Sequence, residues 1–239
     1  MKTQTAESVL TRRFQRRLLS WYTRCQRDLP WRKTTDPYKI LVSEIMLQQT
    51  QVDRVIPKYR EFLRKYPTLD DLARARPQQV KRLWYPLGYN YRPLRLRNIA
   101  REAVAQYDGK LPDTLDGLMA LDGVGRYTAG AVMSFAYRKD APILDTNVER
   151  LLARLFGIRG DTKRSPVRNR LWQLAADVIP RGKAYIFNQA LMDFGALVCT
   201  ARKPSCPTCV MRRFCRSFPV NGHRTIGKAS TVYGPQSMV

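Results

Sequence analysis

Acid is scarce in this chain. Against 43 Lys and Arg stand 19 Asp and Glu, a formal net charge of +24 over 239 residues. An imbalance of that size marks a polyanionic partner and speaks against an enzyme of small metabolites. No apolar run approaches the roughly 18 residues that a membrane span requires. The opening MKTQTAESVL lacks the basic-then-apolar layout of a secretory signal. Of the two polyanions at issue, nucleic acid is therefore favoured over an anionic membrane. Alternating strand runs are missing, and so is any repeat of fixed period. Cysteine is sparse and odd in number, five in all. An odd count in a chain without a secretory signature argues against a disulfide framework.

What is present is helical patterning. In ESVLTRRFQRRLLSWYTRCQR (7–27), Val9, Leu10, Phe14, Leu18, Leu19 and Tyr22 recur at helical spacing with arginines opposite. LPWRKTTDPYK (29–39) carries two prolines and reads as loop. YKILVSEIMLQQ (38–49) is a strongly apolar helix, followed by helices over 50–66, 68–74, 77–89, 93–110, 113–121, 125–137, 145–157, 165–180 and 183–199. Thr68 with Asp71 three residues on makes a helix start, and Pro77 suits a first helical position. The fold class is all-α, with about ten short helices. The stretch after Cys215 is polar and rich in breakers, so a mobile tail is expected over 217–239.

Four of the cysteines, Cys199, Cys206, Cys209 and Cys215, fall within 17 positions as C-x6-C-x2-C-x5-C. Tetrahedral zinc accepts four thiolates. A [4Fe–4S] cube, each thiolate taking one iron, suits the uneven loops better. Cys25 stands apart on the first helix as a small semi-buried hydrophobe. Between the first two ligands lie Arg202 and Lys203, on a loop that a metal centre would stiffen. They are either a phosphate grip or two solvated charges.

LDGVGRYTAG (121–130) reads as a turn between two short helices. Gly123 and Gly125 permit positive φ and close backbone approach, and the N–H groups opening the next helix can form an anion nest. The plain alternative is a helix C-cap and turn. Asp145, in PILDTNVER, is placed to N-cap the helix that follows it.

Six segments and the four cysteines occur in a telling order: LPWR, PYKILVSEIMLQQTQV, LWYPLGY, LDGVGRYTAGAV, ILDTNVERLLAR and FNQALMDFGALVC, then the cysteine run. Over about residues 10 to 216 they resemble the MutY-type adenine DNA glycosylases of the helix–hairpin–helix, Gly/Pro-Asp superfamily. The resemblance implies two helical lobes around a DNA-binding cleft. One is a six-helix lobe over 37–140; the other joins residues 1–36 to 141–216 and holds a [4Fe–4S] cluster. It implies Glu44 as the general acid that protonates a flipped-out adenine, and Asp145 as the carboxylate that stabilises an oxocarbenium-like sugar. Tyr127 and Asn147 would complete the site. Trp31, Arg32, Leu47 and Val52 resemble the base pocket. Gln49 and Tyr89 resemble residues that wedge into the duplex, and Gln48, Gly123, Gly125 and Arg126 are assigned to DNA contact with Arg202 and Lys203.

In bifunctional relatives such as endonuclease III a lysine follows the hairpin and forms a Schiff base. Tyr127 has no amine, so the resemblance implies a monofunctional glycosylase with little or no lyase activity. The expected partner is double-stranded DNA carrying a mispaired adenine, the expected state a monomer, and the expected location the cytoplasm of a prokaryote, at the nucleoid. Departures are visible. The chain has no segment matching the usual second domain for 8-oxoguanine, and Thr146, Glu149 and Asn90 differ from the residues common at those places. The short architecture also resembles mismatch glycosylases that remove thymine or uracil opposite guanine. A non-catalytic DNA-binding or redox-sensing protein is the alternative from another class.

Overall fold

A computed structural model of the chain describes residues 6–220. Among the described residues there are eleven α-helices, two 3-10 turns and no strand. Of the expected tail, only 217–220 fall within this range; the rest lies outside the described residues.

Helix α1 (Ala6–Cys25) buries Leu10, Phe14, Leu18, Trp21 and Tyr22 along one stripe and leaves Arg13, Arg16 and Arg17 exposed, the division its spacing dictates. Phe14 meets Phe156 and Phe187 edge-on at 5.9 and 5.7 Å. The proline-rich stretch after α1 is not wholly irregular. Pro30–Arg32 form a 3-10 turn that buries Trp31, because proline at its start fixes φ and gives up an N–H the turn leaves unused.

Asp36 caps helix α2 (Pro37–Leu47), its carboxylate accepting from the Tyr38 and Lys39 amides. Every residue from Ile40 to Met46 is buried. Glu44 is the one carboxylate among them. Then follow α3 (Val52–Lys65), α4 (Leu69–Arg74), α5 (Pro77–Trp84), α6 (Tyr91–Gln106), α7 (Leu115–Ala120) and α8 (Arg126–Phe135). Seven α-helices therefore lie between residues 37 and 140, two of them only six residues long. Thr68 and Asp71 form the reciprocal capping box at α4. The last three helices are α9 (Thr146–Phe156), α10 (Ser165–Asp177) and α11 (Ala184–Leu197).

The helices pack in two groups. Helix α2 lies at the centre of the first, against α3, α6 and α8, with α4 and α5 on α6 and α7 on α8. In the second, α9 packs on α10 and α11, and α1 covers α11. Contact of α11 with α8 joins the groups, and one apolar core runs through both. At the α9–α11 crossing a Cβ on Gly195 would lie 2.9 Å from Asn147, so only glycine permits this approach.

Candidate active site

The groups meet along a cleft of about 1050 Å³. Its walls are the 3-10 turn, the buried face of α2, the loop after α2, Tyr127 of α8, the N-terminus of α9 and one face of α11. Glu44, Asp145, Tyr127 and Asn147 all line it, as do Trp31, Arg32, Leu47, Val52, Gln48 and Gln49. Ten of the residues singled out from sequence thus share one cavity.

Glu44 is 3 % exposed, and its Oε2 accepts a hydrogen bond from the Tyr127 hydroxyl at 2.8 Å. Burial is the main influence on its acidity and pushes the pKa up to about 7; the nearby Asp145 charge adds to the rise, while the Tyr127 hydrogen bond and Arg32 oppose it. The Tyr127 phenol is itself raised well above its ordinary value by burial and by the two carboxylates, so it stays a neutral donor.

Asp145 sits at the N-cap of α9, half-buried. Its Oδ1 accepts from the Val148 amide at 2.7 Å and its Oδ2 from the Asn147 side-chain amide at 3.0 Å. The N-terminus of α9 also sets the partial positive charge of its free amides beside this side chain. Asn147 is held in turn: its Oδ1 accepts from Arg150 at 2.8 Å, and Arg150 donates to the carbonyls of Gly195 and Cys199. One cleft therefore carries a carboxyl poised to hold a proton near neutral pH and a carboxylate fixed by two donors. Paired carboxyl groups in unlike surroundings can divide the work of an acid and an anionic stabiliser.

Several residues escaped the sequence reading. Asp193 of α11 is fully buried and takes a two-pronged bond from Arg32, at 2.8 Å to each oxygen, plus Arg27 at 2.6 Å. Burial alone would raise the Asp193 pKa, but the hydrogen bonds and charge of Arg32 and then of Arg27 outweigh it and leave the pKa lowered. Arg32 thus points into the cleft from a fixed anchor. Gln189 lines the cleft, with its Oε1 accepting from the Tyr22 hydroxyl at 2.9 Å. Lys163 and Arg168 line the cleft as well. No local pattern distinguishes these side chains from ordinary helix residues; only the fold brings them to the cleft.

Of the remaining assigned residues, Tyr89, Gly123, Gly125, Arg126, Arg202 and Lys203 do not line this cavity, and Gln49 enters it from the loop after α2. Tyr89 is half-exposed with φ +51°, and Gln49 has φ +54°. Gly123 takes the positive φ expected of it, +75°, and Arg95 lies across it where a Cβ would clash. Gly125 does not: its φ is −83° and a Cβ there would meet nothing, because it serves as the extended N-cap of α8. Arg126 stacks on Trp172, its guanidinium carbon 4.3 Å from the ring centroid. Arg202 and Lys203 are exposed.

Residues 42–177 match the family model described as HhH-GPD superfamily base excision DNA repair protein. That stretch holds the hairpin, Glu44 and Asp145 together. The chain belongs to the HhH-GPD superfamily. It is 42 % identical over 224 residues to the adenine DNA glycosylase of Rattus norvegicus, covering 90 % of this chain and 42 % of that protein. It is 38 % identical over 201 residues to the thymine/uracil-DNA glycosylase of Pyrobaculum aerophilum, covering 82 % of this chain and 87 % of that one. A solved structure of a thermostable thymine-DNA glycosylase superposes with a TM-score of 0.82 at 34 % identity, covering 89 % of this chain and 98 % of that one. The chain spans about two fifths of the length of the mammalian adenine DNA glycosylases that it matches.

The four cysteines Cys199, Cys206, Cys209 and Cys215 line a second, small cavity of about 30 Å³, behind α9. Leu151, Leu155, Phe194 and Met211 close it with apolar surface. An Arg154 N–H lies 3.5 Å from the Cys199 sulfur, and the Met211 amide lies 3.4 Å from that of Cys209. Among the described residues no three Cys, His, Asp or Glu side chains gather as around a single ion. Four sulfurs around an apolar cavity, with N–H donors aimed at them, fit a [4Fe–4S] group.

Proposed function

We propose that this chain is a monofunctional DNA N-glycosylase that hydrolyses the bond between deoxyribose and a mispaired adenine. The pairing of buried Glu44 with Asp145 in one cleft carries this reading. Glu44, protonated near neutral pH, donates to a ring nitrogen of the extruded base and makes it a leaving group. Asp145, held by Asn147 and the Val148 amide, stabilises the positive charge that develops on the sugar. Tyr127 holds Glu44 in place. It offers no amine for a Schiff base, so the product is an intact strand with an abasic site. Trp31, Arg32, Leu47 and Val52 form the base pocket, with Gln189 added from the geometry.

The two lobes are read as residues 37–140 and residues 1–36 with 141–216, a division that the packing of the described helices in two groups supports. Double-stranded DNA crosses the cleft between them. Gln48, Gln49 and Tyr89 press into the duplex, the Gly123 turn with Gly125 and Arg126 faces the backbone, and Arg202 and Lys203 grip a phosphate. Cys199, Cys206, Cys209 and Cys215 would hold the [4Fe–4S] group, which would supply a rigid, electron-accepting centre. Arg150 and Arg154 tie α9 to the first cysteine loop through the carbonyls of Cys199, Thr200 and Ala201.

Removal of thymine or uracil opposite guanine is the second reading. It is favoured by the match along nearly the whole length of the Pyrobaculum aerophilum protein. Single-turnover release from duplexes with A opposite 8-oxoguanine, A opposite G, T opposite G and U opposite G, with alkali to reveal abasic sites, separates the two. The adenine reading expects cleavage of the first two duplexes only. Release of T or U with adenine untouched would overturn it.

A further inference from the structure

Arg92 is the most thoroughly enclosed cation among the described residues, 1 % exposed, and no carboxylate pairs with it. Its Nη1 donates to the carbonyls of Ile45, Met46 and Gln48. Its Nη2 donates to the carbonyls of Leu87 and Gly88 and to the Thr50 hydroxyl, each at 3.1 Å. The guanidinium carbon lies 5.3 Å from the Trp84 ring centroid and 5.2 Å from that of Tyr89. A buried charge without an anion is costly unless dipoles replace its water. Here the carbonyls at the C-terminus of α2 supply the negative end of a helix dipole, and two aromatic faces add to it.

What the guanidinium joins is specific. One set of acceptors lies on the loop after α2, which presents Gln49; the other lies on the loop before α6, which presents Tyr89. Both side chains stand on backbones at positive φ, +54° and +51°. That region is disfavoured for residues with a Cβ and persists where the surroundings enforce it. Gln49 and Tyr89 are also the two residues read above as the duplex wedge.

We infer that Arg92 is a positioning residue for base extrusion: its planar fork locks the Gln49 and Tyr89 loops into one rigid wedge. The inference rests on the wedge reading of those two residues. Lysine cannot replace the fork, since one ammonium has three donors on a single point and cannot span both loops. With Arg92 lost, Glu44 and Asp145 keep their places and the chemistry survives, but the base is not driven out of the stack.

The test uses the full chain and a duplex carrying 2-aminopurine, whose fluorescence stacking quenches, opposite guanine. The wild-type chain brightens the probe, and Arg92→Lys leaves it dark while still binding the duplex. In single turnover Arg92→Lys slows adenine release from a duplex with A opposite guanine about 100-fold, yet stays within about threefold of wild type on adenine in a bulge, which needs no unstacking. Equal brightening by the two proteins, or equal loss on both substrates, overturns the inference. Should the wild type release no adenine from either substrate, the functional reading fails, while the fluorescence comparison still decides the role of Arg92. Should Arg92→Lys not fold, Thr50→Val removes one arm of the clasp from the surface side. A smaller loss in the same direction, confined to the duplex with A opposite guanine, supports the inference, and no change overturns it.

Discussion

Asp145 does two jobs, and one substitution separates them. As an N-cap it holds the Val148 amide, and asparagine caps about as well as aspartate. As the charge-stabilising group it must be an anion. Asp145→Asn is therefore expected to fold and bind DNA as wild type while single-turnover release falls roughly 10³-fold; thermal melting and gel binding check the first part, the kinetics the second. Turnover at the wild-type rate would remove Asp145 from the chemistry. Borohydride treatment during turnover is expected to trap no stoichiometric adduct, since Tyr127 supplies no amine. Trapping at full yield would contradict the monofunctional reading. Asp145 was legible as an N-cap because a short side-chain acceptor there satisfies the first amides of α9; its part in the chemistry came only from the family resemblance. The acidity of Glu44 was legible as a direction, since a carboxylate inside an apolar helix must be desolvated.

At the scale of elements, hydrophobic spacing located all the described α-helices because each buries one stripe or, as in α2, nearly everything. Ends were less legible. The 3-10 turn at Pro30–Arg32 lies in a stretch whose prolines read as loop, and its shape depends on burying Trp31 rather than on local preference. Gly125 was grouped with Gly123 because both are glycines; only the backbone tells a positive-φ turn from an extended N-cap. The anchor of Arg32 was invisible for a different reason. Asp193 lies more than 160 residues away in sequence, and no local pattern links a carboxylate on α11 to the turn after α1. Asp193→Asn leaves Arg27 and Arg32 without their anion and is expected to cost about 3 kcal/mol, read as a lower melting temperature. Its pKa is lowered in the fold, so its contribution is present above the unfolded-state value near 4 and lost as pH falls through the folded value. Unchanged stability at neutral pH would show that the triad contributes nothing net.

The molecule as a whole is defined by two facts that composition already carried, a charge of +24 and a cysteine run at one end. Duplex binding is expected to weaken steeply between low and moderate salt, because each phosphate contact releases a counterion. Affinity that barely changes would mean the charge serves something else. Replacing Cys206 with Ala is expected to remove the visible absorption of an iron–sulfur centre and to weaken DNA binding more than excision from bound duplex. A soluble, fully active variant would separate the cysteines from function. Composition could not show how the two helix groups close on one cleft. Packing of α8 on α2 brings Tyr127 against Glu44, and the contact of α11 with α8 closes the groups so that Asp145 shares their cleft.

The pairing of a protonated Glu44 with an anionic Asp145 is tested most directly by the pH dependence of single-turnover adenine release. Burial holds the Glu44 pKa at about 7, so the folded state keeps a proton that the unfolded chain gives up from about pH 4.5 upward. Stability from this group thus falls between those two values and then levels, while the rate holds until Glu44 ionises. The rate is predicted to fall about tenfold per pH unit above 7. Because the Tyr127 hydroxyl lowers the Glu44 pKa, Tyr127→Phe is predicted to move the break to higher pH. A rate that stays flat well past pH 7, in wild type and Tyr127→Phe alike, would contradict the account.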